Sequence, residues 1–96
     1  MNNMTDEMRD TILEHGLPDG VCLYFVKSGC SACRPVSKAI EYKEKQGLLG
    51  DKFFTIGPKD TALRRKFKLR VNPTIVLGSE KYESFKCLDA LKIYFS

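Results

Sequence analysis

The sequence predicts an α/β protein. Its sheet is mixed and four-stranded, laid down as βαβ and then ββα, flanked by about three helices and preceded by a further short helix. Three observations predict it. Val21-Cys22-Leu23-Tyr24-Phe25-Val26 is almost wholly apolar, as a strand buried on both faces must be. Strand-like and helix-like runs alternate after it, which is the order of a βαβ unit with parallel strands. A turn at Gly78-Ser79-Glu80 then separates Ile75-Val76-Leu77 from the alternating run Lys81-Tyr82-Glu83-Ser84-Phe85, a hairpin pattern.

Each element has a local reason. Thr5 is an N-cap residue for a helix through about His15, with Met4, Met8, Ile12 and Leu13 on one face and Gly16 to end it. His15, at the helix C-terminus, complements the dipole. Leu17-Pro18-Asp19-Gly20 is a turn. After the first strand, a helix from about Ser31 to Gln46 turns Val36, Ala39, Ile40 and Leu48 inward and its charges outward. Pro35 is tolerated near that helix start. Phe53-Phe54-Thr55-Ile56 reads as the second strand. A helix from about Lys59 to Phe67 follows, with Ala62, Leu63 and Phe67 facing in. The last helix carries Leu88, Leu91, Ile93, Tyr94 and Phe95.

Ninety-six residues, 43% of them apolar, fit one domain with one modest core. Within it, residues 1–16 form an N-terminal extension and 20–96 the main body. No apolar run is long enough to span a membrane. The first residues lack a basic stretch followed by an apolar one, which points to a cytoplasmic protein. The net charge of +4, from 16 basic and 12 acidic residues, suits an acidic protein or an anionic small thiol and does not demand nucleic acid.

The chemistry centres on Cys30-Ser31-Ala32-Cys33. Two thiols at i and i+3 on a first helical turn approach closely enough for a disulfide. The first of them sits where unpaired backbone N–H groups and the helix dipole favour a thiolate, the reactive form of cysteine. In a reducing compartment such a disulfide is transient and catalytic more often than structural. The pattern therefore reads as a thiol–disulfide oxidoreductase. A zinc half-site is the alternative, but Cys22, Cys87 and His15 lack the spacing of further ligands. Cys22 reads as a buried hydrophobe, Cys87 as a packing residue at the start of the last helix or a third redox thiol. Arg64, Arg65, Lys66, Lys68 and Arg70 read as a solvated helix face and its exit, or as a rim that attracts carboxylates.

C-x-x-C at the first strand–helix junction, Asn72-Pro73-Thr74 opening the third strand, a hairpin and a last helix together resemble the thioredoxin/glutaredoxin superfamily over residues 20–96. Lys27-Ser28-Gly29-Cys30 looks like glutaredoxin, with its basic residue three before the first cysteine. The stretch from Ala62 to Val76 looks like thioredoxin, and the ending from Leu88 to Phe95 resembles small, phage-type glutaredoxins. The chain departs from both patterns. Gly29 replaces the thioredoxin tryptophan and Tyr24 its buried aspartate. Ser31-Ala32 replace the glutaredoxin Pro-Tyr, Val71-Asn72 its Thr-Val, and Lys86-Cys87 its double glycine.

The resemblance implies a thioredoxin fold and reduction of protein or glutathione-mixed disulfides. Cys30 would be the nucleophile and Cys33 the buried resolving thiol. Pro73 would be cis and would face the C-x-x-C loop; a trans proline opening a strand is the other reading. Lys27, Ser31, Ala32, Arg70, Asn72 and Pro73 would contact substrate, and Asp89 would cap the last helix or meet a ligand amine. No metal or tightly bound organic cofactor is implied; glutathione would serve as co-substrate. The implied partners are disulfide-bearing proteins and, for recycling, glutathione or a flavin-dependent thioredoxin reductase, with the protein itself a monomer. The rival readings are a docking module, or subunit of a larger assembly, that keeps the fold without turnover, and a glutathione-ligated iron–sulfur carrier.

Overall fold

The computed structural model describes residues 4–96; the first three residues of the expected N-terminal extension lie outside it. Helix α1 spans Asp6–His15. Thr5 Oγ1 accepts the Met8 N–H at 3.1 Å, and Asp6 and Glu7 place negative charge in the first turn. Gly16, at φ 89°, closes the helix by donating its N–H to the Ile12 carbonyl.

The other elements are strand β1 (Cys22–Phe25), a single 3-10 turn at Ser31–Cys33, helix α2 (Arg34–Lys45), strand β2 (Phe53–Ile56), helix α3 (Thr61–Lys66), strands β3 (Thr74–Leu77) and β4 (Glu80–Glu83), a second 3-10 turn at Ser84–Lys86, and helix α4 (Cys87–Tyr94). The sheet order is β2-β1-β3-β4. β1 pairs parallel with β2 (Leu23 opposite Phe54) and antiparallel with β3 (Leu23 opposite Val76), and β3 pairs antiparallel with β4 (Ile75 opposite Tyr82). Among the described residues the architecture is therefore mixed α/β with a four-stranded mixed sheet and four helices, as expected.

All four residues of β1 are buried. Successive side chains point to opposite faces of a strand, so β1 feeds two cores. Cys22 and Tyr24 pack with Val36 and Ile40 of α2 and with Cys87, Ala90 and Leu91 of α4. Leu23 and Phe25 pack with Ile12 of α1 and Leu63 of α3.

Local geometry moves several expected details. Leu49, not Leu48, enters the core; Leu48 is 55% exposed. Gly47, at φ 71°, breaks the helical phase that would have carried Leu48 inward. The inward stripe of α4 is Cys87, Ala90, Leu91 and half-buried Tyr94, at i, i+3, i+4 and i+7, which leaves Leu88 and Ile93 exposed. The hairpin turn is two residues long, since Leu77 pairs with Glu80 across Gly78-Ser79. β4 ends at Glu83 and not at Phe85. Ser84 adopts φ 56° and donates its N–H to the Pro73 carbonyl at 2.9 Å, which pulls the chain out of the ladder. Asp89 does not cap α4, whose cap position is Lys86; it lies in the first turn.

α1 is tied to α3 by charge as well as by packing. Arg9 Nε and Nη2 donate to the two carboxylate oxygens of Asp60 at 2.9 and 3.0 Å. The same carboxylate caps α3 by accepting the Leu63 N–H at 3.1 Å. The Arg9 hydrogen bond holds the Asp60 carboxyl below its ordinary range, against the opposing effect of partial burial. A carboxyl with a lowered folded-state value contributes stability above its unfolded pKa and loses it as pH falls through the folded one. Asp60→Ala is expected to cost at least the ~1 kcal/mol typical of a lost helix cap, read from urea midpoints at pH 7. Arg9→Met is expected to shallow the loss of stability that wild type shows below about pH 4.

Candidate functional site

Three stretches distant in sequence meet at the C-terminal end of β1. The first is the loop that leaves the strand. Val26 still donates its N–H to the Ile56 carbonyl at 3.1 Å. Gly29 then turns the chain at φ 73°, a conformation that favours glycine. Cys30 is extended, and its carbonyl accepts the Cys33 N–H at 3.2 Å. This 3-10 turn brings the two Cα atoms to 5.3 Å, and the cysteines are joined as a disulfide. Cys30 is half-buried and Cys33 only 3% exposed, so an incoming sulfur reaches Cys30 first.

The second stretch is Val71–Thr74. The Asn72–Pro73 peptide is cis. The Asn72 carbonyl oxygen lies 3.6 Å from Cys30 Sγ. A disulfide sulfur has no proton to donate, so this is a contact that becomes a hydrogen bond only when Cys30 is a thiol. The loop is held on both sides: Ser84 donates to the Pro73 carbonyl, and Thr74 Oγ1 donates to the Val71 carbonyl, each at 2.9 Å.

The third is Arg64 of α3. Its guanidinium donates to the Gly57 carbonyl (3.2 Å), the Val26 carbonyl (2.9 Å) and Asn72 Oδ1 (3.0 Å). It also stacks over the Phe25 ring, 5.7 Å from the centroid. One planar fork thus ties the exits of β1 and β2 to the loop that faces Cys30, a job suited to arginine. The sequence contained a signal of this. Arg64 stands three residues before Phe67, in phase with the inward face of α3.

Beneath the disulfide lies Tyr24, 2% exposed. Its hydroxyl donates to the Cys33 carbonyl at 3.3 Å and pairs with Ser37 Oγ at 2.7 Å. Burial pushes its pKa upward, so it stays a neutral donor that fixes the start of α2. Beside it an open groove of about 530 Å³ runs from Val26 and Lys27 past Cys30 and along α2 to Glu41.

Lys27 and Ser31 line this groove, with Arg34 and Lys38, which sequence reasoning had not singled out. Ala32 is exposed but lies off the groove; Asn72 and Pro73 also lie off it, and the Asn72 carbonyl contacts Cys30. Arg70 is not brought to the groove. It makes a two-pronged ion pair with Glu83 of β4, at 2.7 and 3.3 Å. That hydrogen bond raises the arginine and lowers the carboxyl, so the charge of Arg70 is already answered within the chain.

Cys22 and Cys87 are fully buried. Burial pushes Cys22 up to about 12 and Cys87 up to about 11; Cys87 Sγ also donates to the Tyr82 carbonyl at 3.1 Å. His15 sits exposed beside Glu14. Among the described residues no group of three or more His, Cys, Asp or Glu side chains is arranged to hold a metal ion. None of the described helices is long and apolar enough to cross a membrane.

Comparison with known proteins adds little. No protein-family model matches the chain, and no curated protein matches it. A solved structure described as that of a malarial protein aligns with 26% identity and a TM-score of 0.46, covering 78% of this chain and 94% of that one.

The burial of the two remaining thiols has a direct chemical consequence. With a pKa near 11, only roughly a thousandth of Cys87 is ionised at pH 8, and less of Cys22. After reduction, brief iodoacetamide treatment at pH 8 is expected to label Cys30 first and to leave Cys22 and Cys87 unmodified until denaturant is added, as read by peptide mass mapping. Arg64→Met strands the three acceptors it serves and is expected to cost on the order of 2 kcal/mol, measured by urea unfolding.

Proposed function

We propose that this protein is a thioredoxin-fold dithiol–disulfide oxidoreductase that reduces protein or glutathione-mixed disulfides in the cytoplasm. The observation that carries the reading is the asymmetry of one disulfide. Cys30 is half-buried against the Asn72 backbone, whereas Cys33 is buried one turn inward. The mixed α/β sheet, with C-x-x-C after the central strand and a cis proline opposite, supports the thioredoxin/glutaredoxin assignment.

The reaction starts from the reduced pair. The Cys30 thiolate, with Lys27 and Arg34 on the same groove, attacks one sulfur of a substrate disulfide. The substrate S–S bond breaks, a Cys30–substrate bond forms, and the first substrate sulfur leaves and takes up a proton. Cys33 then attacks Cys30 Sγ. The mixed disulfide breaks, Cys30–Cys33 closes, and the second substrate sulfur leaves as a thiol. Two electrons pass to the substrate, and the two thiol protons end on its sulfurs. Two molecules of glutathione, or a flavin-dependent reductase, return the pair to the dithiol. The backbone of Asn72 lies where an extended substrate chain would run past Cys30.

Cys30→Ser is expected to reduce turnover of both insulin disulfides and a glutathione-mixed disulfide to the uncatalysed background. Cys33→Ser is expected to retain the first step and accumulate a covalent Cys30–substrate adduct, visible by mass spectrometry. Turnover by the Cys30→Ser variant would overturn the proposal.

A further inference from the structure

The basic residues near the disulfide divide into two groups. On the α3 side, Arg64 is held by Gly57, Val26, Asn72 and Phe25, and Arg70 by Glu83. Both are already engaged within the chain, and neither lines the groove beside Cys30. On the α2 side, Lys27, Arg34 and Lys38 are exposed, line the groove that opens onto Cys30, and make no ion pair among the described residues. Among the described residues the one acidic side chain on that groove is Glu41, at its far end.

We infer that this groove recognises an acidic polypeptide segment flanking the substrate's cysteine, with Lys27, Arg34 and Lys38 as the cations that read it. The inference rests on the redox reading above and names the substrate class for it. Like charges gathered without counter-charges repel one another, and an anionic ligand relieves that repulsion. Arg34 and Lys38 are four residues apart on α2 and so present one face. From Arg34 to Glu41 the helix rises about 10 Å, which an extended chain covers in about three residues. A peptide linked to Cys30 through its own cysteine would therefore lay its next few residues along Lys27, Arg34 and Lys38. Acidic side chains there would be held, and a chain still acidic at Glu41 would be repelled. A polypeptide fits this length better than a single small carboxylate, which could meet only one end of the row.

The test separates docking from chemistry. Two fluorescent peptides are made with their cysteine replaced by serine, one flanked by Asp and Glu, the other by Lys. Anisotropy on the oxidised wild-type protein is expected to show the acidic peptide bound about tenfold tighter, with the preference fading as salt shortens the screening length below about 10 Å. Arg34→Glu with Lys38→Glu should abolish or reverse the preference, and Arg34→Gln with Lys38→Gln should reduce it, with the thermal midpoint of each variant measured alongside. S-methylglutathione should compete at least about tenfold more weakly than the acidic peptide. Equal binding of the two peptides, an equal change for both in the variants, or equal competition by S-methylglutathione would overturn the inference. The corresponding disulfide-bonded peptides are then assayed for reduction. Selective binding without turnover would sink the redox reading and leave the docking surface standing. Turnover without charge preference would do the reverse.

Discussion

β1 has no solvent face, and this constrains the rest of the molecule. Cys22 and Tyr24 require cover from α2 and α4, and Leu23 and Phe25 require it from α1 and α3. Helices must therefore lie on both sides of the sheet, and the strand pairs must bracket β1 with β2 on one edge and β3 on the other. The chain leaves this strand at a fixed place, at the rim of two cores. The loop from Val26 to Cys30 inherits that position. A sulfur on such a loop is set by the packing of the whole domain and not by the loop's own few contacts.

The two cysteines differ because they meet that rim at different depths. Cys33 is drawn inward with α2, whose first turn is anchored by the Tyr24 hydroxyl; Cys30 stays at the edge. The opposite wall is held by Ser84, Thr74 and one arginine. Arg64 bridges two strand exits and the side chain of Asn72, so α3 is tied to the loop that faces Cys30. Val26, whose carbonyl accepts from Arg64, also lines the groove on the α2 flank. The two walls of the site are mechanically continuous through it.

Charge divides along the same line. Arg70 is neutralised by Glu83, whereas Lys27, Arg34 and Lys38 on the groove have no ion-pair partner among the described residues. Arginines held by their own chain act as struts, because their engaged N–H groups fix the plane of the guanidinium. Unpaired cations on a groove instead create a field that a partner can answer. The modest net charge of the chain conceals this polarity, since an overall sum does not record which charges are already matched.

Local sequence is enough for the order of the elements, the two-sided burial of the central strand, the caps at Thr5 and Gly16, and the pairing of Cys30 with Cys33. Each of these rests on neighbours within a few residues, through periodicity, capping chemistry or the reach of a side chain across one turn. The ends of β4, the exposure of Leu48 and the inward stripe of α4 were not legible. They depend on where a glycine or Ser84 lets the chain change direction. Only the tertiary structure decided which basic residues are spent and which remain available. A run such as Arg64 to Arg70 reads as one uniform patch in one dimension. Whether each guanidinium finds Val26, Asn72 or Glu83 depends on segments brought together from elsewhere in the chain, and local spacing carries no record of those distances.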